Sequence, residues 1–326
     1  MTLYNKYRPK TFDQLIQSKF SKTLSKDGLT HHAYLLFGHS GTGKTSAARL
    51  SMSEFCNNQN DINLCINGTH PDYKEINCAI NNGVDDIKAI IADVVNTIPI
   101  HLKYKFIVFD EAHVLTTQSQ NALLKTVEEP PSHIKFFFCT TEINKVIPAI
   151  RTRCQILPFF KLNEKSLLSI LENVCSGEKL KFTQESLSLI ISCADGSARS
   201  ALNLIEQCAT ILEDSDSVAK ILGTASQSSF KSLTKAFCSK KRVDTIQIMD
   251  DLFNNSSDPN SLMNKYADYI ADLITTRICF PEKCEFDGKQ LLLIGGCITD
   301  ILKDFKILQN IKLISKIHVL KTIEKL

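Results

Sequence analysis

The chain has 326 residues, 43% hydrophobic and 22% charged, which is globular usage and too long for one ordinary core. That composition excludes a disordered tail protein, a collagen-like chain and a disulfide-stapled miniprotein. The net charge of +3 excludes a global basic field, although residues 301–326 hold six lysines against Asp304 and Glu324. Twelve cysteines lie scattered, mostly singly, through apolar segments, the pattern of free thiols in a reducing cytosol. The opening residues carry no apolar signal-peptide core, and no apolar stretch approaches the ~20 residues of a membrane span. A soluble, cytoplasmic, multi-domain protein without a membrane partner is expected.

The first half alternates β-rich apolar runs with helical stretches. Strands are expected at 33–37, 73–77, 106–109, 135–139 and 155–159, and helices near 43–56, 84–97 and 116–129. Strands separated by helices make βαβ units, hence an α/β domain whose parallel sheet is covered on both faces. After about residue 162 the strands stop. Asn163 is a candidate N-cap for a helix to about Cys175, and Thr183 for another to Ala194. A third helix runs from Ser197 to about Leu212. Polar stretches at 213–217 and 223–229 then punctuate the chain. Beyond them lie helices at 230–239 and 242–254, and one capped by Asp258 with Pro259 at its first position. At the end, Ile307, Ile311 and Ile314 space one apolar stripe, and Leu313, Ile317 and Leu320 another, on an amphipathic helix or helix pair. Three domains are expected: 1–162 α/β, 163–221 small and helical, and 222–326 helical.

The chemistry concentrates after the first strand. Gly38, His39, Ser40, Gly41, Thr42, Gly43, Lys44 and Thr45 match the pattern GxxxxGK[ST], between a predicted strand and a predicted helix that continues through Ser46. The glycines let successive backbone N–H groups converge on phosphate oxygens, and the helix N-terminus adds its dipole. In such a P-loop Lys44 reaches the β- and γ-phosphates of ATP, and the Thr45 hydroxyl ligates Mg²⁺. Sixty-six residues past Lys44, the apolar run 106–109 ends in Asp110 and Glu111, where open α/β sheets place their ligands. Asp110 is suited to hold magnesium through water and Glu111 to polarise the attacking water. His113 is left without a role beyond a structural one. Thr140 and Thr141 end the run 135–139, where a hydroxyl could orient that water; ending a strand is the plainer explanation. Arg153 and Arg199 are, on their own, ordinary solvated arginines.

Taken in order, these motifs resemble the clamp-loader clade of AAA+ ATPases, closest to the gamma/tau branch of bacterial DNA polymerase III. The similarity is carried by Lys6 through Phe12, His31 through Arg49, Gly83 through Ile87, the stretch Ser119 through Pro131, and Arg153 with Cys154, where Thr152 replaces the family's serine. It is firm from about residue 4 to 206 and only architectural beyond. The resemblance implies a P-loop AAA+ parallel-sheet domain, a small helical lid and an all-helical collar. It also implies roles: Arg8 and Pro9 near the adenine, Thr140 or Thr141 as the first sensor, and Arg199 as the second. Arg153 would be an arginine finger acting on the neighbouring subunit's ATP. The implied partners are other clamp-loader subunits in a hetero-oligomeric ring, the sliding clamp, and primed DNA held by phosphate contacts. The family works within a holoenzyme that is a DNA-directed DNA polymerase, a nucleotidyltransferase, but no polymerase active site is visible in this chain.

One feature qualifies the resemblance, and rival functions remain to be weighed. The family carries a zinc module with four cysteines spaced C-x8-C-x2-C-x2-C. Here Cys56 and Cys65 keep the first spacing, but Gly68 and Pro71 occupy the other two places. Tetrahedral zinc requires four ligands. The spacing of His70 and Cys78 does not demand that they supply them, so zinc is not expected. The rival functions are a non-catalytic delta-prime-like scaffold, which residues 68–73 also resemble, and another AAA+ DNA motor such as a branch-migration helicase. An intact P-loop argues against the scaffold, and the Leu124 to Pro131 stretch against the helicase.

Overall fold

The computed structural model describes residues 2–15, 20–209, 215–256, 258–305 and 311–326. Contacts divide the chain into two compact units: residues 1–174 with 194–203, and residues 175–193 with 204–326.

In the first unit, two helical turns, α1 (Leu3–Lys6) and α2 (Ser21–Leu24), precede β1 (Ala33–Gly38). Then follow α3 (Lys44–Ser53), α4 (Gln59–Asn67), β2 (Tyr73–Asn77), α5 (Val84–Val95), β3 (Lys105–Asp110) and α6 (Thr117–Glu128). The unit continues with β4 (Ile134–Thr140), α7 (Pro148–Arg151), β5 (Gln155–Phe159) and the greater part of α8 (Glu164–Glu178). The sheet order is β2-β3-β4-β1-β5, and every pair is parallel. All five expected strands form. Helix α4 was not foreseen; it starts where the Asn58 side chain accepts from Asp61 N.

Alternation along the strands sends side chains to two cores. Tyr34, Leu36, Phe106, Val108, Phe137 and Cys139 face one side, with Ala47, Ala48 and Leu50 of α3. Leu35, Ile107, Phe109, Phe136 and Phe138 face the other, with Ile87 of α5 and Leu123 of α6. Period-two burial on both faces is what a covered parallel sheet requires. Gln120 of α6 is buried; its Nε2 donates to the carbonyls of Leu115 and Lys145, and its Oε1 accepts from Ile147 N. One side chain thereby ties the loops that follow β3 and β4, whose first residues carry the expected chemistry.

The second unit is helical: α9 (Gln184–Ala194) up to Cys193, the later part of α10 (Ala198–Cys208) from Leu204, α11 (Ser215–Ile221), α12 (Gln227–Cys238), α13 (Arg242–Asn255), α14 (Pro259–Cys279), α15 (Gly288–Asp304) and α16 (Ile311–Lys325). Asn163, Thr183 and Asp258 cap their helices as expected, accepting from Ser166 N, Ser186 N and Asn260 N. The core centres on Phe230 and Tyr266, stacked with centroids 5.2 Å apart, and Tyr266 Oη pairs with Thr234 Oγ1 at 3.1 Å. The apolar stripes proposed for the last helix require correction. Ile314, Val319 and Ile323 are buried, whereas Leu313 and Ile317 are exposed, because α16 packs against α15 and α13 through a different face. Ile307, like Leu212 and residues 213–214, lies outside the described residues. No helix among the described residues is long and apolar enough to cross a membrane.

Phe137 stacks between Tyr34, at 5.1 Å, and Phe106, at 6.0 Å. Phe137→Ala should therefore cost about 3–5 kcal/mol. Tyr266→Phe, which removes one hydroxyl, should cost about 1 kcal/mol. Denaturant unfolding followed by circular dichroism checks the pair, and a larger loss at Tyr266 than at Phe137 would contradict this account of the cores.

Candidate functional site

The carboxyl ends of the parallel strands lie along one edge, and β1 delivers the P-loop there. Gly41 (φ +71°) and Gly43 (φ +99°) adopt left-handed backbone. A Cβ on Gly41 would meet Ser197 Oγ at 2.1 Å, and one on Gly43 would meet Leu15 Cδ1 at 2.8 Å. Glycine is thus needed for both dihedral and space. Lys44 at the start of α3 is 8% exposed, and its Nζ donates to Gly38 O and His39 O, both at 2.9 Å. Burial lowers its pKa, against the opposing pull of Cys139, Glu111 and Asp110. Thr45 Oγ1 donates to Asp110 Oδ1 at 3.2 Å. Burial, then the charges of Glu75 and Glu111, raises the Asp110 pKa, while the bonds from Thr45 and Glu111 N lower it. Glu111 itself is left-handed at φ 54°, ψ 43°, a costly conformation for a residue with a Cβ.

These groups open onto a cleft continuous with solvent, whose empty space is about 790 Å³ with open solvent included. Ser40 through Ser46 form its cradle, with Asp110 and Glu111 on one side and Arg8, Pro9 and Arg199 on another. Leu15, Leu162 and Ile170 supply apolar surface. The mix of a polar, charged cradle and an apolar wall suits a nucleotide. A triphosphate and a divalent cation fit the donor set. Among the described residues, the buried Lys44 ammonium has only carbonyl acceptors at hydrogen-bond distance, and the desolvated Asp110 shares an oxygen with the Thr45 hydroxyl.

Tyr4 is the residue that the motifs did not reveal. Its hydroxyl accepts from Arg8 Nη2 at 2.9 Å and from Arg199 Nη2 at 2.6 Å, and both guanidiniums lie over its ring, at 5.1 and 4.3 Å. Arg8 Nε is buried and, among the described residues, has no hydrogen-bond partner. The start of α10 sits on the loop, with Ala198 N donating to Gly41 O at 3.2 Å. No spacing signal could have found Tyr4; only its place four residues before Arg8 hints at a shared turn.

Other expected residues lie off the cavity. Among the described residues, Gly38, His39, Thr140, Thr141 and Arg153 do not line it. His39 lies 3.5 Å from Asp195, and its carbonyl serves Lys44 and Thr42. Thr140 is fully buried at the end of β4, with Oγ1 3.3 Å from His113 Nδ1. Thr141 is half-buried in the bend beyond. The Arg153 guanidinium pairs with Glu128 and donates to Ala149 O at 2.7 Å.

A zinc module does not fit. Cys56 and Cys65 are free thiols with Sγ atoms 3.3 Å apart. Gly68, in the third ligand position, has φ +76°, and a Cβ there would meet the Arg49 guanidinium at 2.7 Å. Among the described residues no group of three or more His, Cys, Asp or Glu could hold a metal ion. Arg49 instead holds the module to the sheet. Its Nη2 donates to Glu75 at 2.7 Å and its Nη1 to Ile66 O at 3.1 Å, while its Nε lies 3.3 Å from Tyr73 Oη.

The family model for the DNA polymerase III delta subunit matches residues 13–163. The chain is 34% identical over 290 residues to DNA polymerase III subunit tau of Bacillus subtilis, covering 83% of this chain and 51% of that one. It is 33% identical over 272 residues to the gamma/tau subunit of Mycoplasma genitalium, covering 77% and 45%. The chain thus spans about half the length of these relatives. The Thermotoga maritima RuvB Holliday junction branch migration motor superposes with a TM-score of 0.51 at 19% identity, covering 72% of this chain and 80% of that one, which shows the fold alone. On the parallel sheet, the P-loop edge and these relatives, the chain belongs to the AAA+ clamp-loader family.

Proposed function

We propose that the chain is an ATP-hydrolysing motor subunit of a clamp loader, built as an AAA+ domain (1–162), a lid (163–221) and a collar (222–326). The observation that carries this is the complete cradle: Lys44, Thr45, Asp110 and Glu111 gathered on one cleft. Thr45 and Asp110 would hold Mg²⁺, which supplies charge neutralisation at the phosphates when bound. Glu111 accepts the proton of the attacking water, and the buried Lys44 stabilises phosphate charge where water competes poorly. Arg8 and Pro9 flank the base, and Arg199, held by Tyr4, reports on nucleotide from the lid. Thr140, or Thr141, serves as the first sensor at the end of β4.

Arg153 completes a neighbouring subunit's site, a reading supported by its absence from the cavity of its own chain. Fixed positive charge supplied in this way is typically worth ~10³–10⁵ in rate. The partners are the other clamp-loader subunits, the sliding clamp and the phosphates of primed DNA, and the setting is cytoplasmic. One observation favours a second function: the matching family model is that of a delta subunit, which suits a scaffold. A scaffold would show no turnover, so ATPase activity measured alone, with the clamp, and with clamp plus primed DNA separates the two.

Lys44→Ala should abolish nucleotide binding and leave the circular dichroism spectrum unchanged, since it removes a charge from a cradle and not from a core. Unchanged ATP affinity would refute the P-loop assignment. Arg153→Ala should bind ATP normally yet lose hydrolysis in the assembly by orders of magnitude, on the ~10³–10⁵ scale of such fingers. Mixing Arg153→Ala with Glu111→Gln creates interfaces where the first chain's intact site meets the second chain's intact finger, so activity should return. Mixed assemblies that form but stay inactive would show that Arg153 does not act in trans.

A further inference from the structure

His113 lies just past β3, in the single turn Ala112–Val114, with 14% of its side chain exposed. It is not among the residues lining the cavity, yet it touches the groups that bracket the hydrolytic edge. Its Nδ1 is 3.4 Å from Glu111 Oε2 and 3.3 Å from Thr140 Oγ1. On the other side of the ring, Nε2 is 3.7 Å from Glu142 Oε1, an oxygen that also pairs with Lys145 at 2.8 Å.

The chemistry of these partners restricts the imidazole. The Glu111 carboxylate only accepts, so it can be held only by a ring carrying hydrogen on Nδ1. Thr140 Oγ1 already accepts from Glu142 N at 3.0 Å, which fixes that hydroxyl against the β4 turn. One ring nitrogen therefore faces both the carboxylate at the end of β3 and the hydroxyl at the end of β4. Glu111 needs such a partner. Its side chain is 42% exposed on a left-handed backbone, so burial does not hold its carboxylate in place.

We infer that His113 is the positioning residue for Glu111, holding the carboxylate through Nδ1 and tying its orientation to Thr140. This rests on the proposal that Glu111 activates water, because a residue acting through Glu111 has no effect unless Glu111 works. A misplacement of about 1 Å can cost ~10²-fold in rate, so the expected loss falls in kcat and not in nucleotide affinity.

The test is steady-state ATPase of the assembled complex, with nucleotide affinity measured on the same preparations. His113→Ala should lower kcat by about tenfold to a hundredfold while nucleotide affinity stays within about twofold, which also shows that the site has folded. His113→Asn places an amide nitrogen near the position of Nδ1 and should recover most of the rate. His113→Gln reaches instead toward Glu142 and should recover less. Adding His113→Ala to Glu111→Gln should leave the residual rate unchanged. Turnover indifferent to His113→Ala, equal losses in Asn and Ala, or additive losses with Glu111→Gln would each overturn the proposal while leaving the motor function standing. Absence of turnover in the wild-type assembly would overturn both.

Discussion

Lys44 carries a positive charge into a place where little water reaches it, and two backbone carbonyls of its own loop, Gly38 and His39, hold it there. The loop can curl back far enough to present those carbonyls only because Gly41 and Gly43 take left-handed dihedrals. Their missing side chains leave room for Ser197 Oγ on one side and Leu15 on the other. The start of α10 and the segment before α2 are thereby brought against the phosphate cradle. Desolvation lowers the ammonium's pKa, and the same burial raises that of Asp110. The site thus holds two groups whose charges lack full compensation, a cation and a carboxylate. Anionic phosphate and a divalent cation would supply the missing charge.

The sheet topology determines which groups meet this cradle. With β4 between β3 and β1, and every strand parallel, Asp110 and Thr140 end on the same edge as the P-loop. Gln120 joins the loops beyond β3 and β4, so the two chemically important strand ends cannot drift independently. Glu111 then stands at a left-handed turn of the chain, where local strain re-aims a side chain at the expense of stability.

The departure from the family's cysteine pattern has a physical counterpart. Gly68 makes room for the Arg49 guanidinium, which bonds Glu75 on β2 and the Ile66 carbonyl near the end of α4. A charged, hydrogen-bonded junction therefore stands where the four-thiolate pattern would otherwise converge. Cys56, half-buried, and Cys65, buried, persist beside it as a thiol pair, and burial raises the pKa of both.

Much of the fold was legible in the sequence because its signals are local. Each strand is a short apolar run bounded by polar turns, each cap is one side chain bonding an N–H two or three residues on, and the P-loop is eight consecutive residues. The sequence alone therefore determined the parallel α/β class, the cradle and the two acids after β3. The tertiary structure decided what depends on partners far apart in the chain. Tyr4 and Arg199 meet across 195 positions, Arg153 finds Glu128 at the end of α6, and His113 reaches Thr140 on a neighbouring strand. The buried face of α16 was settled in the same way, by α13 and α15 and not by its own spacing of isoleucines and leucines. A hydrogen bond or a packed face leaves no mark in the sequence near either partner when folding alone brings the two together.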